Sequence, residues 1–321
     1  MHRQQLVHRL DLIYYPILAV VGVPVNAVAL VILSRGRCGL SQCITNYLLA
    51  MAGADLLVVI FDVVLYRISY IFFRGSFLDV TPVCRIIIVL LNAATDSSVW
   101  LTVTFTFDRY VAVCCQKLKA KYCSRQTSAK VIASVCVISL LKCIPWYFVF
   151  GPRYTVSSVP WDCVVKEGFF SSPGWAVFAW VHRAFTPFLP FALILILNIL
   201  TVRHVLEASR ARRSFRNHSG GEKDDDPEMR NRRKSMVLLF AISGSFILLW
   251  MFEILYFIYV RITGVYYYKG PHDPVFILQQ TSRMLQLLSC CTNTCIYAIT
   301  QTKFREELKN AILYLVVRIK K

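Results

Sequence analysis

The segment CRIIIVLLNAATDSSVWLTVTFTFDRYVAVCC, residues 84–115, is the stretch of this chain that decides its fold. It is apolar over more than the roughly 20 residues that a helix needs to cross the hydrocarbon core of a bilayer. Cys84 stands at one end, and the charged triplet Asp108-Arg109-Tyr110 stands near the other. A charged pair on a spanning helix costs little only near water or against another helix. We therefore predict a membrane-spanning helix that ends at a polar surface.

The composition of the whole chain agrees with a membrane protein. Of its 321 residues, 56% are apolar and only 17% are charged, and the mean hydropathy is +0.53. Soluble domains are about 45–50% apolar and about a quarter charged. The net charge of +18 would suggest a nucleic-acid partner if the protein were soluble. Here the basic residues lie in short loops beside apolar blocks, so we expect a lipid bilayer around the chain and no nucleic acid.

Seven apolar blocks of spanning length predict an all-α membrane protein with a seven-transmembrane helix bundle. The predicted spans are residues 12–34, 44–71, 83–115, 128–149, 175–206, 234–261 and 274–299.

Three polar segments accompany this predicted transmembrane domain of residues 12–299. Residues 1–11 show no evident removable signal peptide, so the first span is expected to act as an uncleaved anchor. Residues 207–233 are too polar to form a core, which predicts a flexible third cytosolic loop. In residues 302–321 mixed charges precede apolar residues at helical spacing, which predicts an amphipathic helix on the membrane surface and a short cytosolic tail.

Lys and Arg are unevenly divided between the two sets of connecting segments. The connections after spans one, three and five, with the C-terminal segment, contain 22 of them, whereas the N-terminus and the other three connections contain 7. Because cytoplasmic loops carry the excess of positive charge, we expect the N-terminus outside and the C-terminus in the cytosol. The segments are 35–43, 114–127, 203–234 and 302–321 against 1–11, 72–82, 150–174 and 261–273.

The twelve cysteines test this topology independently. Only Cys84 and Cys163 would face the outside, and the other ten would lie on the cytosolic side or within spans. Disulfides persist in oxidising compartments, so these two are expected to pair and to hold the loop 150–174 at the top of the third span. Two free thiols are the alternative.

Short motifs recur in order on the predicted spans, and together they resemble those of rhodopsin-like (class A) G-protein-coupled receptors over nearly the whole chain. The motifs are Gly22-x-Pro24-x-Asn26, Asn46-Tyr47-Leu48-Leu49-Ala50 with Ala54-Asp55, Cys84 with Asp108-Arg109-Tyr110, Pro190, Phe246 with Trp250, and Asn293-x-x-x-Tyr297 followed by Phe304.

The resemblance implies a plasma-membrane receptor without catalytic activity, with a small-molecule or peptide ligand outside and a heterotrimeric G protein inside. Arg109 would contact the G protein and be held by Asp108 when inactive; an ion pair without a signalling role is the alternative. The residues implied in coupling are Asp108, Arg109, Tyr110 and Tyr297, and those in the activation switch are Pro190, Phe246 and Trp250.

Asp55 is a carboxylate in mid-membrane, which costs at least about 2.5 kcal/mol unless it is partnered. In the receptors that the chain resembles, this position belongs to a polar network that binds a sodium ion. A network bridged by a proton or by water, without sodium, is the alternative, and no other cofactor is expected. The expected network contains Asn26, Asp55, Ser98, Ser289 and Asn293.

The chain departs from the family at two hinge positions. Phe252 and Thr294 stand where the sixth and seventh spans usually carry proline. Because proline kinks a helix, the swing of the sixth span is in question. A non-signalling or decoy receptor is therefore an alternative function.

Ionisable side chains in the outer halves of the spans predict a ligand cavity, because such groups must pair or face water. We expect Arg283 to pair with Asp62, and Arg183 with Glu253 or Asp96; purely structural salt bridges are the alternative. Both charge signs beside aromatic rings suit a zwitterion, such as an aromatic amino acid or a short peptide. The candidate pocket residues are Asp62, Tyr66, Leu91, Asn92, Thr95, His182, Arg183, Trp250, Glu253, Gln279 and Arg283.

Two observations refine the expected ligand. Leu91 occupies the position where amine receptors carry aspartate, which argues against biogenic amines. Residues 96–100, 130–135 and 179–182 resemble an orphan branch of the family proposed to sense tryptophan and phenylalanine, although Glu253 replaces an arginine of that branch.

Other classes of protein fit less well. A transporter could use the intramembrane charges as a polar path, but transporters usually show paired repeats, and the chain has no evident internal repeat. No nucleophile–base pair or metal-ligand spacing indicates an enzyme.

Overall fold

Long helices dominate the chain because a backbone inside lipid must satisfy its own hydrogen bonds. The computed structural model describes residues 2–219, 227–263 and 273–319. Its α-helices are α1 (His2–Ser34), α2 (Gln42–Val58), α3 (Ser69–Phe72), α4 (Thr81–Cys114), α5 (Gln116–Tyr122), α6 (Arg125–Cys143), α7 (Trp146–Val149), α8 (Gly168–Ser171), α9 (Pro173–Arg183), α10 (Leu189–Ser219), α11 (Pro227–Thr263), α12 (Pro274–Thr300) and α13 (Thr302–Ile319).

Two of the long helical runs contain a π-helical turn. Val59–Ile68 joins α2 to α3, and Ala184–Phe188 joins α9 to α10. A short 3₁₀ turn at Phe77–Asp79 precedes α4. Turns of the π type often lie at functional sites because they re-aim side chains.

Within the described residues, six helical runs are long and apolar enough to cross a membrane by length and composition. The seventh predicted span, α12, has 27 residues but carries many amide and hydroxyl side chains, and it is not among the six. The six runs are Leu10–Ser34, Gln42–Phe72, Thr81–Cys114, Arg125–Val149, Pro173–Arg210 and Lys234–Val260.

Helix α4 lies at the centre of the bundle and packs against α2, α6, α10 and α11. The largest buried cluster surrounds its Asp108 end. Because lipid tails are as apolar as these side chains, their packing stabilises the bundle mainly through van der Waals contact. The cluster includes Tyr47, Leu48, Met51, Leu101, Phe105, Leu238, Ile242, Tyr297 and Phe304.

The loop between α7 and α8 forms an antiparallel hairpin, which the all-α prediction did not anticipate. Strand β2 (Tyr154–Val156) pairs with β3 (Val159–Trp161) next to the turn. Strand β1 (Phe150–Gly151) pairs with β4 (Val164–Val165) at the base of the loop. Ser157 and Ser158 form the two-residue turn, and both have positive φ, as a type I′ hairpin turn requires. Alternating β-branched and aromatic residues around this Ser-Ser pair favour the hairpin.

The hairpin is fixed to the start of α4 by a disulfide between Cys84 and Cys163, whose Cα atoms are 6.3 Å apart. The neighbouring Asp162 adds hydrogen bonds. Its N–H donates to the Asp79 carbonyl at 2.7 Å, and its carbonyl accepts from Thr81 Oγ1 at 2.8 Å. The expected cysteine pair is therefore present.

The helices reach further into the third connection than predicted. Helix α10 continues to Ser219 and α11 begins at Pro227, so 207–219 and 227–233 are helical, and the rest of the predicted flexible loop lies outside the described residues. Glu, Ala, Arg and Lys are good helix formers, which outweighs their polarity. Residues 2–11 likewise belong to α1. Met1, residues 264–272 and the last two residues of the tail also lie outside the described chain.

The disulfide generates a first prediction. Cys84→Ser and Cys163→Ser should each destabilise the protein by about 2–5 kcal/mol, because the bond closes a long loop, and the double variant should lose no more than either single one. Thermal unfolding of the detergent-solubilised protein and surface labelling measure this, with Cys136→Ser as a control. Additive losses would show that the two cysteines act separately.

Candidate functional site

One polar centre lies at the end of α4, where Asp108 and Arg109 form a buried ion pair. Arg109 Nε donates to Asp108 Oδ2 at 3.0 Å, and Nη2 contacts the same oxygen. Both residues are at most 5% exposed. Tyr110, the third residue of the motif, is half-buried. A buried charge pair of this kind is strongly destabilised when one partner is removed.

Two thiols complete the surroundings of Asp108. Cys43 Sγ donates to Asp108 Oδ1 at 3.2 Å, and Cys123 Sγ donates to its backbone carbonyl at 3.6 Å. Burial and the nearby Asp108 carboxylate raise the pKa of the Cys123 thiol to about 11. It therefore stays protonated at neutral pH and remains a donor.

Arg109 also reaches α11, because its Nη1 donates to Ser235 Oγ at 3.2 Å. This contact lies in a cavity of about 480 Å³ between α4, α5, α11, α13 and the segment 38–44 at the start of α2. Among the described residues that line the cavity there is no carboxylate, so its surface is strongly positive. The cations that line it are Arg109, Lys119, Lys234 and Lys303.

A second polar centre surrounds Asp55 in the middle of the bundle. Ser98 Oγ donates to Asp55 Oδ1 at 2.5 Å, and Asn293 Nδ2 donates to Oδ2 at 2.8 Å. The other two residues expected beside this carboxylate bond elsewhere. Asn26 donates to the carbonyls of Gly22 and Cys290, and Ser289 donates to the carbonyl of Gln286.

A small polar cavity of about 10 Å³ lies beside this centre. Five hydroxyl groups and one amide line it, and such a volume holds about one water-sized particle. Trp250 Nε1 donates to Ser289 Oγ at 3.3 Å, so the cavity touches the predicted switch residue directly. The lining hydroxyls are Ser98, Thr102, Ser245, Ser289 and Thr292.

Thr294, which stands at the missing seventh-span proline, is buried and donates to Asn26 Oδ1 at 3.5 Å. Thr294 keeps the backbone N–H that a proline would remove, and its side chain adds a hydrogen bond to α1.

The rings of Phe246 and Trp250, both on α11, stack with their centroids 5.3 Å apart. Pro190 lies buried in the first turn of α10.

Tyr297 lies fully buried at the end of α12 and packs edge-on against Phe304. Among the described residues its hydroxyl has no hydrogen-bond partner. A buried hydroxyl without a partner costs about 1–3 kcal/mol.

The candidate ligand cavity, of about 160 Å³, is formed at the other half of the bundle by α4, α7, α9, α11 and α12. Seven of the eleven predicted pocket residues line it, namely Asn92, Thr95, His182, Arg183, Trp250, Glu253 and Arg283. The sequence interpretation missed the aromatic and amide residues Trp146, Phe257 and Gln286, because their single positions carry no motif.

Four predicted pocket residues lie elsewhere. Tyr66 lines a different cavity of about 610 Å³, between α1, the π-helical turn after α2, and α12. Asp62 is buried in an ion pair. Leu91 and Gln279 are half-buried and do not line the 160 Å³ cavity.

The predicted pairs Arg283–Asp62 and Arg183–Asp96 are wrong, because nearer cations pair with the two aspartates. Arg67 Nε lies 2.6 Å from Asp62 Oδ1, and Lys142 Nζ lies 2.5 Å from Asp96 Oδ2. Arg67 follows Asp62 by five residues within the π-helical turn, and this wider turn brings them to one side. In the sequence, the nearby positive charge of Arg67 was the signal that could have predicted the partner of Asp62.

Arg283 is left without a counterion. Among the described residues it has no ion pair or hydrogen bond, although it is only half-exposed and lines the cavity. Glu253 lines the same cavity, and its Oε2 accepts a hydrogen bond from Ser282 at 2.9 Å. The Arg183 guanidinium lies 5.2 Å from the centre of the Phe257 ring. Both charge signs are therefore present beside aromatic surface.

Known proteins resemble the chain over most of its length. It is 24% identical over 308 residues to the probable G-protein coupled receptor 142 of Mus musculus, with 94% of this chain and 73% of the relative covered. It is 26% identical over 302 residues to the FMRFamide receptor of Drosophila melanogaster, with 90% and 51% covered. A probable G-protein coupled receptor of Caenorhabditis elegans is 24% identical over 231 residues, with 65% and 51% covered. The chain thus spans about half the length of the latter two.

A family model decides the classification. The model of the 7 transmembrane receptor (rhodopsin family) matches residues 25–297, which include the buried Asp108–Arg109 pair, the Asp55 centre and α12. Such relatives indicate a receptor with seven membrane-spanning helices and not an enzyme. The chain belongs to the rhodopsin family of seven-transmembrane receptors.

Proposed function

We propose that this receptor resides in the plasma membrane and converts binding of an extracellular zwitterionic ligand into activation of a heterotrimeric G protein. The observation that carries the proposal is the Asp108–Arg109 pair, which is tied to α11 through Ser235 at the rim of a cationic cavity. The excess of Lys and Arg in the connections on this side supports a cytosolic position for the cavity, with the N-terminus outside.

Activation would be a shift between two populated conformations, because a ligand acts only through its differential affinity for them. The ligand cavity touches Trp250, and Trp250 touches the small polar cavity beside Asp55. Among the described residues, Arg109 makes its side-chain hydrogen bond to α11 through a single neutral hydroxyl, that of Ser235. Displacing α11 would therefore break a weak contact and expose Arg109 to the G protein.

The buried hydroxyl of Tyr297 supports a second conformation of α12. Without a partner it raises the energy of the described conformation. A conformation that gives this hydroxyl a partner recovers that energy, and Tyr297 would thus help to stabilise the active state. Helix α13, anchored by Phe304 against Tyr297, would lie along the membrane surface with its apolar face toward lipid.

A carboxylate and an ammonium group on one small ligand would match the uncompensated Arg283 and the Glu253 carboxylate. The cavity volume of about 160 Å³ is below the roughly 300–1,000 Å³ of sites for drug-sized ligands, which favours a molecule of amino-acid size. Trp146, Trp250 and Phe257 supply aromatic surface for an indole or phenyl ring. Similarity to the FMRFamide receptor keeps short peptides as the second ligand class.

The Asp55 centre would hold an allosteric sodium ion. The residues present fit a hard cation, since the carboxylate and the hydroxyls of Ser98 and Ser289 offer oxygen ligands beside a cavity of ion size. Asp55 would supply the charge, and the hydroxyls would complete the coordination. A bound sodium would stabilise the inactive conformation by mass action.

A non-signalling decoy is the second candidate function. Thr294 bonds Asn26, and neither α11 nor α12 carries the usual hinge proline. If these straight helices do not move, ligand would bind without G-protein activation.

Arg109→Ala should abolish both basal and ligand-raised G-protein activation while surface expression stays intact, because it removes the group proposed to meet the G protein. Activation sensors for all four G-protein families in cells measure this with a panel of amino acids and peptides. Arg37→Ala, an exposed arginine in the proposed cytosolic connection between α1 and α2, is the matched control. Unchanged signalling of Arg109→Ala would remove that role, and silence of the well-expressed parent would favour the decoy.

Ser235→Ala should raise basal activation, because it deletes the Arg109 contact on α11 but leaves the Asp108–Arg109 pair. The same sensors measure it at matched surface levels. Basal activity equal to or below that of the parent would mean that this hydroxyl does not restrain α11.

Arg283→Ala should reduce the potency of carboxylate ligands roughly 10- to 100-fold, because it removes one charge-assisted hydrogen bond between the guanidinium and the ligand carboxylate. Concentration–response curves with aromatic amino acids and their carboxamides measure the effect. The carboxamides should be weak on the parent and equally weak on the variant. Arg74→Ala, which alters an arginine stacked on Tyr70 outside this cavity, controls for lost positive charge. An unchanged potency would leave Arg283 with a structural role.

Asp55→Asn should remove a sodium-dependent rise in thermal stability. The unfolding temperature of the purified receptor is compared in sodium chloride and choline chloride at equal ionic strength. An equal rise for parent and variant would place any sodium effect elsewhere.

A further inference from the structure

Three side chains of different chemistry converge beside the ligand cavity, each from a different helix. Asp96 on α4, Cys143 on α6 and His182 on α9 each place one ligand-type atom within 4.8 Å of the other two. All three are buried, with exposures of 1%, 0% and 8%. Neither the family motifs nor the proposed ligand contacts require a thiol at this point.

One of the two ring nitrogens of His182 is unpartnered in the part of the chain that the structure describes. Its Nδ1 is buried and has no hydrogen-bond partner among the described residues. Trp146 and Phe178 pack on the ring. Leaving such a group unpaired costs free energy, and a ligand for this nitrogen would recover it.

A thiolate, an imidazole and a carboxylate form a ligand set that suits Zn²⁺. Zinc bonds of about 2.0–2.3 Å place tetrahedral ligand atoms roughly 3.5 Å apart. Cys143 Sγ already lies 3.3 Å from Asp96 Oδ2. Because the three ligand-type atoms lie within 4.8 Å of one another, bringing His182 into the set requires a side-chain movement of roughly 1 Å.

Lys142 is the group that opposes a cation here. Its Nζ lies 2.5 Å from Asp96 Oδ2 and donates to Thr186 Oγ1 at 2.9 Å. A dication would compete with this ammonium for Asp96, and the two cations would repel each other. The second contact lets the ammonium keep a hydrogen-bond partner at Thr186 when Asp96 turns to the metal.

We propose that Asp96, Cys143 and His182 form a zinc site that joins α4, α6 and α9, with water as the fourth ligand. Binding of Zn²⁺ exchanges the Cys143 S–H bond for a Zn–S bond and releases one proton to solvent. His182 binds as the neutral imidazole, and Lys142 stays protonated as the competing cation. Because Asp96, His182 and Thr186 line the ligand cavity, zinc would reshape one wall of it.

Cobalt spectroscopy of the purified full-length receptor in lipid nanodiscs tests the site without reference to signalling. One Co²⁺ per receptor should give a thiolate-to-cobalt charge-transfer band, which equimolar Zn²⁺ removes. Cys143→Ser should abolish this band. Cys136→Ser, which removes an exposed thiol from the same helix α6, should retain it.

Two further variants separate metal binding from failure to fold. His182→Ala should weaken zinc binding roughly 10-fold or more, as the loss of a ligand does, while the thermal transition of the metal-free protein is retained. Lys142→Gln should strengthen binding roughly 10-fold, because the competing charge is gone. Competition titrations with a fluorescent zinc chelator give both affinities.

The proposal is overturned if the parent shows no thiolate-to-cobalt band, or if the band survives in Cys143→Ser. It is equally overturned if a folded Lys142→Gln receptor binds zinc no better than the parent. A purely structural Lys142–Asp96 ion pair predicts the opposite pattern, in which Lys142→Gln destabilises the protein and zinc binds to neither form.

Discussion

The structure depends on partners for four carboxylates buried in an apolar helix bundle. Asp55, Asp62, Asp96 and Asp108 are all at most 3% exposed. An unpaired buried charge is far more costly than a paired one. Asp55 and Asp96 take their partners from other helices, so these contacts also fix the relative positions of helices. The partners are Ser98 with Asn293 for Asp55, Arg67 for Asp62, Lys142 for Asp96 and Arg109 for Asp108. Helix α4 supplies four of these nine residues, which accounts for its central position.

The need of each buried carboxylate for a partner also distinguishes cations with a structural role from cations that can bind a ligand. Arg67 and Lys142 satisfy buried aspartates, and Arg283 has no counterion among the described residues although it lines a cavity with Glu253. A guanidinium in that position attracts an anionic group from outside the protein. The ion pairs that form within the bundle therefore determine which charged side chains face the cavity without a counterion. The ligand chemistry proposed for the receptor is based on those side chains.

Much of the architecture could be predicted from the sequence, because membrane-length apolar runs and adjacent motif residues are local signals. Asp108 and Arg109 are neighbours in the chain, and the topology left Cys84 and Cys163 as the external cysteines. Partner choice across helices could not be predicted in the same way. Asp62 pairs with Arg67 because both lie in one π-helical segment, and Asp96 pairs with a lysine from α6. Both choices depend on helix rotation, which apolar periodicity alone does not determine. The hairpin was missed because strands of two or three residues are too short to give a clear alternating pattern next to long apolar runs, although Ser157-Ser158 lies at its turn.

The absent prolines change how motion could be transmitted without forbidding it. Thr294 keeps α12 continuous and bonds Asn26, so α12 is tied to α1 by side chains at the point where a kink is usual. The hydrogen bonds between α11 and α12 include those of Trp250 to Ser289 and of Ser245 to Thr292. Such single hydrogen bonds are worth only about 0.5–1.5 kcal/mol each. A ligand that displaces Trp250 could therefore break them one by one, and α11 could turn as a rigid rod where a kinked helix would pivot about its bend.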